Sequence, residues 1–203
     1  MRLIGMLDSP YVRRVAISLK LMGLDFALDQ ISVFRGFDEF KAINPAVKAP
    51  TLVTDDGVVL MESGLILEYL ARLVDPSRSL MPADPHELAK ALRVIGLALV
   101  ACEKTVQIVY ERNLRPPEKQ HQPWLDRVQG QMLAVYAELE KEIAQRAAWF
   151  GGSKLMQPDV TVAVAWRFTQ HTVPQIVTAA EFPRLAGHSV RAESLPAFVE
   201  TSF

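Results

Sequence analysis

Apolar residues run almost unbroken from Arg2 to Leu7, and Asp8-Ser9-Pro10 then interrupts them with a polar cap and a proline suited to the first position of a helix. Val12, Val15, Ala16, Leu19 and Met22 recur at three- and four-residue steps, which marks one buried helical face, and Gly23 is placed to end it. A strand over roughly 26–33 follows, then a polar stretch over 35–44. Pro45 and Pro50 bracket Lys48-Ala49, and Thr51 to Thr54 is strand-like. Asp56-Gly57 predicts a two-residue hairpin turn into Val58 to Met61, with both turn positions at positive φ. Ile66, Tyr69, Leu70 and Leu73 return to helical spacing behind Glu62-Ser63, where Ser63 suits the cap.

Three prolines, Pro76, Pro82 and Pro85, indicate an extended linker over 76–85. Strand signals nearly vanish beyond it. Leu88, Leu92, Ile95, Leu99, Cys102 and Val106 mark one long helix, and Leu125, Val128, Met132, Val135 and Leu139 another, closed by Gly151-Gly152. A third helix is expected over about 159–172, with shorter ones in the tail. The predicted organisation is a βαβ-ββα unit over 1–75, a linker over 76–85 and an all-helical unit over 86–203. That is the layout of a thioredoxin-like α/β domain joined to an all-α helical bundle.

Composition narrows the function classes. Across 203 residues, 50% are hydrophobic and 22% charged, which suits a folded globular chain. The 22 Lys and Arg balance 23 Asp and Glu, so no global field favours nucleic acid as a partner. Cys102 is the only cysteine, which excludes an internal disulfide and fits a reducing compartment. The first apolar run meets Asp8 and Pro10 before it could form an export signal, and Val94 to Ala101 is far shorter than the ~20 residues that span a bilayer. A cytoplasmic location without membrane partners is expected. His86, His121, His171 and His188 show no metal-ligand spacing, so no metal is expected.

Four features fall in one order and spacing: Ser9-Pro10 after the first strand, Asn44-Pro45 with Lys48-Ala49-Pro50, the Asp56-Gly57 hairpin, and Glu62-Ser63. In this the chain resembles the cytosolic glutathione S-transferase family, of the bacterial serine type. The resemblance extends over the linker, the two long helices and the closing Leu195-Pro196-Ala197-Phe198. It implies that Pro50 is cis and that the backbone of Ala49 pairs with the cysteinyl part of glutathione. It also implies a homodimer, with a site for an apolar electrophilic co-substrate between the domains; Tyr11, Tyr110 and Trp166 are its candidate lining. Where the family usually has Gly, this chain has Val47, so the approach of that loop is expected to differ.

The chemistry of the tripeptide fits these residue types. An extended peptide is held by strand-like bonds to a loop such as that of Ala49. A carboxylate suits a helix N-terminus bearing a hydroxyl, here Ser63, and the γ-glutamyl ammonium suits Glu62, while Lys48 is a candidate for the glycine carboxylate. A cysteine thiol ionises at about 8.5, so catalysis must stabilise the anion. Ser9, at the positive end of its helix, is the candidate hydrogen-bond donor to that sulfur, not a covalent nucleophile. No cofactor beyond glutathione as co-substrate is needed. Ser9 before Pro10 is equally an ordinary helix cap, and the alternative to an enzyme is a glutathione- or protein-binding scaffold of the same fold. Arg13 and Arg14 are expected to be surface charges covering apolar neighbours. Asp159 keeps half of a capping box opposite Met156 and is expected to be structural.

Overall fold

In the computed structural model, which describes every residue except Ala147, a four-stranded sheet is built from β1 (Arg2–Ile4), β2 (Ala27–Asp29), β3 (Thr51–Val53) and β4 (Val59–Met61) in the order β2-β1-β3-β4. β1 pairs parallel to β2 and antiparallel to β3, which pairs antiparallel to β4. All four strands are shorter than the hydrophobic runs suggest. β1 stops because Gly5 turns the chain at φ 137°, and a Cβ there would lie 2.6 Å from a methyl of Val12. Beyond β2, the hydroxyl of Ser32 accepts from the N–H groups of Phe34 and Arg35, so the chain turns instead of extending.

Helix α1 (Pro10–Met22) follows β1 as the spacing predicts, and Gly23 ends it in the left-handed conformation at φ 63°. The Gly23 and Leu24 N–H groups reach back to Lys20 and Leu19, and the Arg78 guanidinium takes the carbonyl of Met22, so the orphan acceptors of the last turn are met. The polar stretch before Asn44 contains a helix not expected from its pattern, α2 (Phe37–Ile43), of which only Phe40 is buried. One buried position in seven residues leaves little periodic signal. The hairpin between β3 and β4 also differs in detail: Gly57 alone has positive φ, at 86°. Its N–H donates to the Thr54 carbonyl, while Thr54 and Val58 pair, so a three-residue loop, Asp55 to Gly57, with Gly in its last place replaces the two-residue turn. Helix α3 (Ser63–Arg72) completes the unit's central part.

This first compact unit comprises Met1–Leu80 and also Ser194–Phe203. The separation at 80–81 lies inside the expected linker, whereas the return of the last segment was not foreseen. Short helix α8 (Pro196–Val199) packs beside α1, and Arg13 fastens it: its guanidinium donates to the carbonyls of Thr201 at 3.0 Å and Phe198 at 3.2 Å. Arg13 is therefore a buried core residue, only 1% exposed, and not a surface charge.

The second unit, Met81–Glu193, holds α4 (Pro85–Leu114), α5 (Gln122–Ala144), α6 (Gln157–Thr172) and α7 (Pro183–Glu193). α4 packs against α5 and α6, and α7 against α5 and α6. α5 ends at Ala144, before the glycine pair; Gly151 and Gly152 instead form a tight bridged turn with Trp149 and Lys154. A buried polar cluster ties the helices together, with Tyr136 donating to Thr169 at 2.6 Å and Thr169 sharing a 2.8 Å hydrogen bond with Thr105. Among the described residues no helix is long and apolar enough to cross a membrane.

Candidate functional site

Register decides where the candidate residues meet. Ile4 lies opposite Thr51, and Thr51 opposite Met61. The chain leaving β1 toward Ser9, the chain entering β3 from Ala49-Pro50 and the chain leaving β4 into Glu62-Ser63 therefore emerge at one end of the sheet. Two contacts tighten the cluster. A Cβ on Gly5 would stand 3.2 Å from the Cβ of Ala49, and Arg14 of α1 donates to the Ser63 hydroxyl at 3.0 Å.

Ser9 precedes α1 with extended backbone angles, φ −73° and ψ 123°, and its carbonyl accepts from Arg13 as a helix cap should. Its side chain makes no cap hydrogen bond. A serine serving only as a cap would spend its oxygen on the second or third N–H of the helix. Here the half-buried hydroxyl stands at the helix start with its oxygen uncommitted to the cap.

The Ala49–Pro50 bond is cis, as the resemblance implies. Asn44, 2% exposed, braces the loop that carries it: its amide donates to Thr51 at 2.8 Å and its oxygen accepts from the Ala46 N–H at 3.0 Å. Thr51 in turn donates to the carbonyl of Lys48 at 2.7 Å. Val47 does take positive φ, 48°, so the loop bends where the family's glycine would bend it, and the expected change of approach is replaced by local strain.

At the start of α3 the cap position belongs to Glu62, and Ser63 is the first helical residue. Glu62 has φ 69° and its side chain is exposed. It is not free, as expected, for an ammonium group: Lys48 pairs with it at 3.2 Å. The two residues assigned to opposite ends of the tripeptide thus meet each other. Both side chains are more than half exposed, 52% and 57%, so a ligand can exchange for that pair at little cost.

The remaining candidates are on helices α1, α4 and α6. Tyr11 is half-buried on α1, two residues after Ser9, and Tyr110 is 44% exposed on α4. Trp166 is a core aromatic of the helical unit, 4% exposed, edge-on to Tyr136 at 5.7 Å and to Phe182 at 6.3 Å, so its ring packs and does not line an open surface. Asp159 holds the start of α6, accepting from Met156 at 2.8 Å and from Phe150 at 3.1 Å. Burial raises the Asp159 carboxyl to about 7, and burial lowers the neighbouring His188 imidazole to about 4. Among the described residues no group of three or more His, Cys, Asp or Glu could hold a metal.

Sequence reasoning missed Arg14, which is 3% exposed and touches Ser63 directly. The available signal was its position five residues after Ser9, with Tyr11 and Ile17 three residues to either side.

Residues 3–78 match the model of the glutathione S-transferase N-terminal domain, and residues 122–191 match that of the C-terminal domain. The chain belongs to the glutathione S-transferase family. Among the transferases' relatives, it is 31% identical to the uncharacterized GST-like protein YibF of Escherichia coli K12 over 48% of this chain and 48% of that protein, so this match spans about half of each. It is 28% identical to the maleylacetoacetate isomerase of Pseudomonas aeruginosa, covering 91% of this chain and 87% of the isomerase. A solved glutathione S-transferase from Methylobacterium radiotolerans, in complex with glutathione sulfonate, superposes with a TM-score of 0.90 at 29% identity, over 98% of this chain and 93% of that one.

Proposed function

We propose that this transferase binds glutathione at the end of the sheet where Ser9, Ala49-Pro50 and Glu62-Ser63 emerge, and that Ser9 holds the sulfur as a thiolate for attack on an electrophilic, largely apolar co-substrate. In this reading the Ala49 backbone pairs with the cysteinyl residue, Ser63 and the first N–H groups of α3 take the γ-glutamyl carboxylate, and Glu62 exchanges Lys48 for the ligand's ammonium. Lys48 is then released toward the glycine carboxylate. No cofactor beyond glutathione enters the reaction, and a homodimer is the expected assembly.

The observation that carries the reading is the Ser9 hydroxyl, which stands at the positive end of α1 without making the cap bond that would otherwise explain a serine there. The glutathione sulfonate in the Methylobacterium relative supports the ligand class. Loss of the thiol proton to solvent water leaves an anion whose charge is met by the Ser9 O–H and the helix N-terminus, which lowers the thiol pKa.

Ser9→Ala tests it. The variant should keep glutathione affinity within about threefold, while conjugation to a generic electrophile at neutral pH falls by about tenfold to a hundredfold, the effect of a thiol pKa raised by roughly one to two units. Ultraviolet absorbance of the bound thiolate should show that shift directly. Retention of glutathione without turnover by the wild type would favour the scaffold, and a wild type neither binding nor stabilised by glutathione would end the assignment.

A further inference from the structure

Ser63 is 4% exposed and begins α3, a helix of ten residues, so its hydroxyl shares a buried corner with the unpaired N–H groups of the first turn. Its oxygen lies 3.0 Å from Nη1 of Arg14. A guanidinium carries five donors and no acceptor, and it stays charged at any pH a protein survives. Ser63 must therefore accept in this contact. Its single proton is left for a different acceptor, and none of the hydrogen bonds described for its side chain uses it.

We propose that Arg14 is a positioning residue that holds the Ser63 hydroxyl as a donor at the start of α3 and places a permanent positive charge behind it, so that this corner selects a carboxylate over a neutral group. The inference rests on the glutathione reading above and deepens it for the γ-glutamyl end. Three features act together on the ligand: the Ser63 proton, the N–H groups of the first turn of α3, and the Arg14 charge. A neutral carboxamide in place of the carboxylate would satisfy the first two with its oxygen. It would gain nothing from the third, and that difference separates a charge-selecting arginine from one that merely fills space.

The experiment measures, by titration calorimetry on the full chain, the affinity for glutathione and for its analogue with the γ-glutamyl α-carboxylate converted to a carboxamide. The proteins are wild type, Arg14→Met, Arg14→Lys, Ser63→Ala and the Arg14→Met/Ser63→Ala double variant. Arg14→Met should weaken glutathione by at least about tenfold and the carboxamide, which loses only the held Ser63 donor, by no more than about threefold. The double variant should be no more than about threefold weaker than Arg14→Met alone, because both changes remove one shared arrangement. Arg14→Lys keeps the charge without the planar fork, so it should retain the preference for the carboxylate at reduced affinity, and it decides the matter if Arg14→Met does not fold.

Equal losses for the two ligands, or losses that multiply in the double variant, would overturn the role of Arg14. So would a lysine variant without preference for the carboxylate. Wild-type protein that binds no glutathione overturns the ligand assignment and this inference with it. Wild-type binding with Arg14 variants indistinguishable from it overturns this inference alone.

Discussion

Val47 and Glu62 both hold positive φ, 48° and 69°, and both lie in segments that emerge beside Ser9. Such conformations cost on the order of 1–3 kcal/mol each for residues other than glycine, and for a β-branched side chain the strain is least well tolerated. Strain at two of the three segments of one site fits a backbone shaped for a ligand. Relieving it at Val47 should show in stability. Val47→Gly should raise the urea midpoint by the equivalent of up to about 1 kcal/mol, since the steric relief of roughly 1–2 kcal/mol exceeds the roughly 0.5–1 kcal/mol that glycine loses in conformational entropy. A fall in the midpoint would show that the loop tolerates valine without strain. Much of the site at this scale is legible in the sequence, because Ser9, Pro50 and Ser63 combine residue type with place in the element order. Arg14 and the Lys48–Glu62 pair are not, because partnership between side chains 49 and 14 residues apart depends on strand register, which no local pattern records.

Among the elements, the start of α6 carries the sharpest pH dependence. Asp159, fully buried, ionises near 7 when folded against about 3.9 in an unfolded chain, so the folded form keeps its proton and stability falls as pH rises from about 4 to 7. His188 has the opposite sign. Its imidazole stays neutral down to about 4 when folded, so above about 6.5 neither state is charged, and as pH falls through 6.5 the unfolded chain gains a proton that the folded one refuses. The two effects oppose each other between about 4 and 6.5. Replacing His188 by Gln separates them: the stability of wild type relative to His188→Gln should fall by on the order of 2 kcal/mol between pH 7 and pH 5. Urea titrations of both proteins at the two pH values measure it, and a constant difference would refute the buried neutral imidazole. The helices themselves follow from apolar periodicity, but α4 buries a smaller-residue face, Ala91, Val94, Ala98 and Ala101 beside Ile95 and Cys102, and leaves Leu92 52% exposed; α2 gives no such signal because Phe40 alone is buried in it, and Asp-Gly also suits a longer turn that needs positive φ only at glycine.

At the scale of the whole molecule the first unit is discontinuous, made of Met1–Leu80 and Ser194–Phe203. The linker prolines made the division near residue 80 visible in the sequence, but nothing in the composition of the last segment says which unit it serves. The answer lies in Arg13, whose guanidinium meets two carbonyls of that segment and also faces the rings of Phe198 and Phe203 at 5.8 and 5.3 Å. Lys20 and Glu200 add an ion pair at 2.6 Å on the same helix. Phe198 is completely buried, so Phe198→Ala should cost about 3 kcal/mol. Hydrogen exchange should report the loss first in the amides of α1, and unchanged protection there would mean that the segment is only a passenger.

The contact from Arg13 to Thr201 spans 188 residues, and the order in which a ribosome makes the chain gives that distance a meaning in time. The sheet and α1 are complete early, yet the carbonyls of Phe198 and Thr201 that meet their buried arginine are made only after the entire helical unit has been translated. During that interval the nascent unit displays the apolar flank that Phe198 will cover, which is the kind of surface that holding chaperones engage.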